Sequence, residues 1–448
     1  WPSAAVAAAP RRGAITSLGL AGTHAHCTLE AFDADHHGAM AAAAVAPAAA
    51  PVAIAVVSVG CVLPGAADAD QLADNLAARR SALVDIPAER WSRQGYGVAR
   101  PFGAWRDPKD TALVYLERGG FVTDTVAPRT PHPLPPHTLE ALDRSVAWTL
   151  AAVDQAMTGR TAAPRTATIV GCSPKNEREV QAEFRVLEAE LVALCCDALA
   201  AVAIDADTRA VITQALAPAA DLPPVDEDTL PGFQGSLSAG LVSHLWGFEG
   251  PAYAVDSACA SALVAVEAGC RALVDGRCDE ALVAGCWSNL SIEYYNMFCF
   301  FQVLSRGTQD PFGPDANGFI PGEGAGVVLL KRLDDAKRDG DRIMATIRGV
   351  AGASDGRGKF VYAVNPSGLD HAVRRALDVS EIDPASIGLI EAHGLSVPAG
   401  DIAELNIYAK HYGATRPVAV SSVKGNICHA NAAAGIAALI KTVLAVDR

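Results

Sequence analysis

The stretch Tyr253-Ala-Val-Asp-Ser-Ala-Cys259-Ala-Ser-Ala-Leu-Val-Ala-Val-Glu267 carries the decisive reading. An apolar run ends at Asp256, small residues make a tight turn, and a helix is expected over Cys259–Val274. That order sets a thiol at the start of a helix, where unpaired N–H groups and the positive dipole end favour thiolate over thiol. The same N–H groups can hold an oxyanion once the sulfur attacks a carbonyl. Ala258, Ala260 and Ser261 leave room beside Cys259 for a substrate. A cysteine on a single helix is most often a small buried hydrophobe, so the surrounding segments must decide.

Outward from this stretch, short β-branched runs alternate with amphipathic helices, the pattern of an α/β protein with a largely buried sheet. Strands are expected at Val52–Val59, Ala167–Gly171, Ala252–Asp256, Glu280–Gly285 and Gly326–Lys331. Three more are expected at Ile343–Val350, Ile387–Ala392 and Val418–Val423. Further helices are expected at Ala69–Ala78, Pro136–Met157, Gly368–Leu377 and Asp401–His411. The acidic segment from Lys175 to about Ala215 reads as a helical surface insertion at a dimer face.

Two of these strands deliver polar loops. Ile387-Gly-Leu-Ile-Glu-Ala-His393-Gly ends on a histidine, and Gly400-Asp401-Ile-Ala-Glu404 follows it. Val418-Ala-Val-Ser-Ser-Val-Lys424-Gly-Asn-Ile-Cys-His429 repeats the arrangement ahead of an alanine-rich helix. One histidine at a strand end is ordinarily structural. Two such loops with a strand-to-helix cysteine are a much rarer set. Gly322, Gly324 and Gly326 have the look of a phosphate loop but lack its strand–helix context.

Composition narrows the alternatives. A chain of 448 residues can bury one large core or two ordinary ones. Its formal charge of −14 argues against nucleic acid or an anionic membrane as the main partner. Eleven cysteines without a C-x-x-C pair point to reduced thiols and a cytoplasmic setting rather than to disulfides. Cys270, Cys278 and Cys286 are spaced too widely for a metal knuckle, and no metal is expected. Met40–Gly60 is broken by Pro47 and Pro51 and is too alanine-rich for a membrane span.

Taken together, the segments resemble the β-ketoacyl synthase (ketosynthase) domain of multidomain fatty acid and polyketide synthases. That family's D-T-A-C-S-S motif matches Asp256-Ser-Ala-Cys259-Ala-Ser261, and its E-A-H-G…G-D-x-x-E motif matches Glu391-Ala-His393-Gly394 with Gly400-Asp401 and Glu404. Its S-V-K-G-N-I-G-H motif matches Ser422-Val-Lys424-Gly-Asn-Ile-Cys428-His429. Pro311-Phe312 through Glu323-Gly-Ala-Gly326 matches a fourth motif, and all four come in family order over roughly residues 52–448. RGGFVTD, the long insertion and SDGRGKFVYAVNPSG resemble more closely the ketosynthases of polyunsaturated fatty acid synthases. The resemblance implies a thiolase-like α/β fold of two similar βαβαβ halves in five layers, with the nucleophile in the first half and both histidines in the second.

It further implies that Cys259 takes an acyl group from an acyl carrier protein. His393 and His429 would then promote decarboxylation of a malonyl-type extender, whose carbanion attacks the Cys259 thioester to give a 3-oxoacyl product. Lys424 would support the electrostatics near His429, Glu323 would brace the surrounding loop, and Asp401 and Glu404 complete their motif. No bound cofactor is implied, since the phosphopantetheine of the carrier protein brings the substrates. Implied partners are the carrier protein and a second ketosynthase, as a homodimer or a tandem ketosynthase-like domain. A non-elongating, chain-length-factor type of partner domain is the alternative reading.

The chain departs from the family in three places. Leu395 and Val397 stand where two threonines would meet the phosphopantetheine arm, which calls for a replacement donor such as Ser396. Cys428 stands where the family has glycine, beside His429, and is expected to shift the imidazole. Residues 11–30 resemble the family's final segment, with Leu20 at the position of the acyl-pocket gate. Residues 1–33 are therefore expected to be the tail of a preceding ketosynthase-like domain, with a permuted C-terminal segment as the alternative. Residues 34–51 are expected to be an Ala/Pro linker. Residues 52–448 would be a ketosynthase domain lacking its final segment, its halves meeting between 335 and 336.

Overall fold

A computed structural model describes residues 11–18, 23–32, 52–91, 114–123, 128–215, 224–229, 235–358, 365–413 and 416–448. All eight expected strands form, within a set of twelve among the described residues. These are β1 (Arg12–Leu18), β2 (Thr23–Glu30), β3 (Ile54–Val62), β4 (Leu83–Asp85), β5 (Arg118–Gly120) and β6 (Thr166–Gly171). The remainder are β7 (Ala252–Val255), β8 (Glu280–Trp287), β9 (Gly324–Arg332), β10 (Ala345–Ser354), β11 (Leu389–Glu391) and β12 (Ala419–Ser421). Ten of them form one sheet in the order β12-β11-β1-β2-β10-β3-β9-β8-β6-β7, and β4 pairs with β5 apart from it.

The ten-stranded sheet consists of two five-stranded halves with the same plan. From β3, the pairs to β9 and β8 are antiparallel and those on to β6 and β7 parallel. From β10, the pairs to β2 and β1 are antiparallel and those on to β11 and β12 parallel. The Arg144–Met157 and Gly235–Trp246 helices cover the outer face of the first half, and Pro366–Ser380 and Pro398–Tyr412 that of the second. The Ser261–Val274 and Ala434–Asp447 helices lie between the halves, which makes five layers of the thiolase-like kind. Strands β6 and β8 are buried along their whole length, as a sheet covered on both faces requires.

The repeat has a consequence for the site. In the first half β7 leads through Cys259 into the Ser261–Val274 helix; in the second half β12 leads through His429 into Ala434–Asp447. Cysteine and histidine thus occupy the same slot of two similar units, and the two central helices bring them face to face.

Several local features differ from expectation. Pro136–Met157 divides into Pro136–Ala141 and Arg144–Met157, because Asp143 is extended and its carboxylate accepts the Ser145 N–H at 2.7 Å as an N-cap. The helix after Cys259 starts at Ser261, and Cys259 itself sits in a short 3-10 turn, Ala258–Ala260. The insertion forms two helices, Glu177–Ala201 and Ala206–Ala215; Phe184, Leu187, Leu191 and Leu194 are exposed along the first at heptad spacing.

The strands β1 and β2 come from residues with no expected strand and lie inside the second half, not beside it. Helix Ala434–Asp447 presses so closely on β1 that a Cβ at Gly13 would meet Thr442 at 2.8 Å. Buried Glu30 pairs with Arg12 and with Arg348 at 2.7 Å each, tying β1, β2 and β10 together. Leu20 and the proposed linker 34–51 lie outside the described residues. Among the described residues no helix is long and apolar enough to cross a membrane, and no group of three or more His, Cys, Asp or Glu is placed to hold a metal.

Candidate active site

Small residues make the Cys259 turn possible. Strand β6 passes directly behind it, where a Cβ at Gly171 would meet the Ser261 backbone at 2.6 Å. Ala258 adopts φ 49°, a left-handed conformation that costs an alanine free energy and is of the kind that clusters at functional sites. The turn is pinned by the Ala258 N–H donating to Asp256 at 2.9 Å and the Ser257 N–H to the Ser261 hydroxyl at 2.8 Å. Its thiol is half-buried; Sγ lies 3.0 Å from His429 Nε2, and the thiol also donates to Asn431 Oδ1 at 3.7 Å.

His429 is fixed by its backbone. Its N–H donates to the Ile320 carbonyl and its own carbonyl accepts the Gly322 N–H, both at 2.8 Å. Burial, reinforced by the nearby Lys424 ammonium, holds its imidazole well below the ordinary histidine range, so the ring is neutral at pH 7. A neutral Nε2 can accept the thiol proton or, as N–H, donate to an acyl or enolate oxygen.

The His393 ring stands edge-on to His429 with centroids 5.5 Å apart. The backbone N–H groups of His393 and Gly394 donate to the two carboxylate oxygens of Glu404 at 2.9 and 2.7 Å, and the His393 carbonyl accepts from Lys424 Nζ at 2.6 Å. Glu404 and Lys424 therefore position the His393 loop through its backbone. Burial raises the Glu404 carboxyl to about 7, against hydrogen bonds from Tyr408, Gly394 and His393. Burial also lowers Lys424 from its ordinary value, against the pull of Glu391 and Glu404. Tyr408 in turn bonds to Thr16 of β1, which links residues 12–30 to this bracing. Asp401 accepts the Phe312 N–H at 2.8 Å and anchors the segment ahead of the glycine-rich loop.

Glu323 directly follows Gly322, which bonds the His429 carbonyl, and is fully buried. It accepts the Val122 N–H at 2.9 Å and pairs with Arg90, whose Nη1 donates at 3.0 Å. Burial pushes its carboxyl up to about 7 in spite of the Arg90 charge. Its backbone continues the Ile320–Gly322 segment that bonds the His429 backbone, and its side chain ties that point of the chain to Arg90 and Val122.

The structure thus brings Cys259, His393, His429, Lys424 and Glu404 together, with Asp401 and Glu323 one step out. Sequence reasoning missed Arg90, which sits in an Ala-Glu-Arg-Trp run with no signal, and Asn431, which was visible two residues past His429. Two expectations are corrected. Ser396 is no replacement donor, because it is fully buried; its hydroxyl accepts the Asp310 N–H at 3.1 Å and holds that loop. Cys428 does not push the His429 ring away from Cys259. It adopts φ 64°, ψ −170°, a region proper to glycine, and its side chain packs against Gly120 and Gly322. Strain is taken up in the backbone, and the imidazole keeps its place.

Comparison with known proteins agrees. Residues 52–336 match the β-ketoacyl synthase N-terminal domain family and residues 344–448 the β-ketoacyl synthase C-terminal domain family. A phenolphthiocerol/phthiocerol polyketide synthase of Mycobacterium tuberculosis is 34% identical over 410 residues, covering 88% of this chain and 24% of that protein. A polyunsaturated fatty acid synthase of Thraustochytrium sp. is 30% identical over 411 residues, covering 88% of this chain and 14% of that protein. The chain therefore spans a quarter or less of these two multidomain relatives.

Among solved structures, the ketosynthase from module 6 of the bacillaene synthase of Bacillus subtilis superposes with a TM-score of 0.68 at 27% identity, covering 88% of this chain and 60% of that one. A structure titled PfaC Keto synthase-Chain length factor gives 0.74 at 27% identity, with 88% and 41% covered. The chain belongs to the β-ketoacyl synthase family, the condensing acyltransferases of polyketide and fatty acid synthases.

Proposed function

We propose that Cys259 is the acyl-accepting nucleophile and that His393 and His429 handle the extender. The single observation that carries this is the 3.0 Å contact between Cys259 Sγ and a buried, neutral His429, with His393 beside it. Cys259 sulfur attacks an acyl thioester, the donor thiol leaves with the proton, and the acyl group rests on Sγ. A malonyl-type thioester then loses CO2 while its developing enolate oxygen accepts hydrogen bonds from the histidines. The carbanion attacks the acyl-Cys259 carbonyl, expelling the thiolate and releasing a 3-oxoacyl thioester. Phosphopantetheine of an acyl carrier protein is the proposed carrier of both substrates. The test is to incubate the protein with an acyl-loaded and a malonyl-loaded carrier protein. Acyl mass on the Cys259 peptide and a 3-oxoacyl product are expected; a chain that loads acyl but makes no product is not an elongating enzyme.

The non-elongating reading draws support from Leu395 and Val397, which put apolar side chains after His393, and from the engaged hydroxyl of Ser396. The same experiment separates the two. Pairing with a second ketosynthase-like domain is supported by the position of β7 at the edge of the sheet among the described strands and by the exposed apolar line Phe184–Leu194. For residues 12–30 we favour a role in closing the second half of this domain, supported by the pairing of β1 with β11 and of β2 with β10. A reducing, cytoplasmic setting fits a chain whose cysteines are all free thiols.

A further inference from the structure

Beyond Asn431 the wall near the Cys259 thiol is aromatic but not apolar throughout. The Asn431 amide, itself buried, hydrogen-bonds the Tyr294 hydroxyl and accepts from the thiol at 3.7 Å. The Tyr294 ring packs on Trp287, centroids 5.4 Å apart, and on Phe298 at 4.6 Å; Phe298 touches Phe319, whose ring lies edge-on to His429 at 5.3 Å. This arc of rings runs from Trp287 at the end of β8 back to the catalytic histidine. Trp287 is 3% exposed, and its indole N–H has no hydrogen-bond partner among the described residues.

A buried, unpartnered N–H is expensive to leave that way, and most buried donors are satisfied. When an acyl group replaces the thiol hydrogen, Asn431 also loses the donor that faced its oxygen. The first carbons of the chain on Sγ then lie beside an amide offering both a donor and an acceptor, bonded in turn to the Tyr294 phenol, whose ring packs on the Trp287 indole with its unpartnered N–H. A saturated chain would lay methylenes against these groups and satisfy none of them. A hydroxyl near the thioester can donate to Asn431 and accept from the donors beyond.

We propose that Asn431, Tyr294 and Trp287 are specificity-determining residues that select acyl chains bearing a hydroxyl on carbon 3 over their saturated counterparts. The inference rests on the reading that Cys259 carries the acyl group. Loading is simple thioester exchange: the Cys259 S–C bond forms, the donor S–C bond breaks, and the donor thiol leaves with the Cys259 proton. Sites built to hydrogen-bond a substrate hydroxyl reject analogues lacking it far more strongly than apolar pockets reject an extra group.

The experiment loads the full chain from N-acetylcysteamine thioesters of butyrate and 3-hydroxybutyrate and follows acyl-Cys259 by intact mass. The 3-hydroxyacyl donor is expected to load with a kcat/KM about tenfold or more above the saturated one. In Trp287→Phe and in Asn431→Leu that ratio is expected to fall to within about twofold, by loss of the partner groups. Equal loading by the unaltered protein, or a ratio kept in both variants, overturns the proposal while leaving the condensing reading intact. If neither donor loads Cys259, both readings are overturned.

Discussion

The Cys259 turn and the His429 turn occupy the same place in the two halves, yet they are built in opposite ways. The first puts its strain just before the reactive atom, at Ala258, and leaves the thiol half-open to an arriving thioester. The second puts its strain at Cys428 and buries the imidazole, with the ring neutral and the backbone clamped by Ile320 and Gly322. A repeated scaffold brings the two loops together, and the loop residues decide that one presents a half-buried thiol and the other a buried, neutral imidazole, the groups we propose as nucleophile and as proton donor or acceptor. The halves also differ in how they end. β8 and β9 follow the Ser261–Val274 helix along the chain, whereas the corresponding positions of the second half are filled by β1 and β2 from the other end.

The largest effect expected from breaking this comparison is at the proposed nucleophile. Cys259→Ala should eliminate acyl loading, so that no adduct appears on the protein under saturating thioester; full condensing activity in this variant would remove the assignment. Next comes the borrowed strand pair. Ile15 is fully buried in the middle of β1, and if β1 stands in for β8, Ile15→Ala should cost about 2–5 kcal/mol in denaturant unfolding. A cost below about 0.5 kcal/mol, typical of surface positions, would mean that the hairpin lies apart from the sheet in solution.

The third test concerns the buried neutral ring. Its folded value lies below the ordinary 6.5, so the unfolded chain takes up the proton first as pH falls, and stability is lost below about pH 6.5 at close to 1.4 kcal/mol per unit. Glu323 and Glu404, raised to about 7, act in the opposite direction between roughly pH 4.5 and 7. The difference between the unaltered protein and His429→Gln cancels them, and that difference should flatten above pH 6.5. The smallest effect is at Cys428, where glycine should relieve about 1 kcal/mol of backbone strain and raise the melting temperature without moving the Cys259–His429 contact. A lower melting temperature in Cys428→Gly would show that packing against Gly120 and Gly322 outweighs the strain.

Much of the site was legible because its chemistry is local. The strand–turn–helix order around Cys259, and the strand-end positions of His393 and His429, follow from apolar runs that stop at small or polar residues. The roles of Glu404 and Lys424 were only implied by motif, since a carboxylate accepting two backbone N–H groups eleven and ten residues away leaves no periodic trace. Arg90 was invisible for the same reason, lying 233 residues from the carboxylate it pairs with.

Local patterning and turn chemistry were enough to specify the element types, the α/β class and the three chemical groups, because each depends on residues within a dozen positions of one another. Which of those groups meet was settled by packing. Two similar halves joined across two central helices set Cys259 3.0 Å from His429. The same packing put Ser396 out of reach of a substrate, let the Cys428 backbone absorb a side chain where glycine was expected, and placed residues 12–30 between β11 and β10. Strand pairing and burial act between segments hundreds of residues apart, and their free energy depends on the whole assembled sheet rather than on any one stretch of chain.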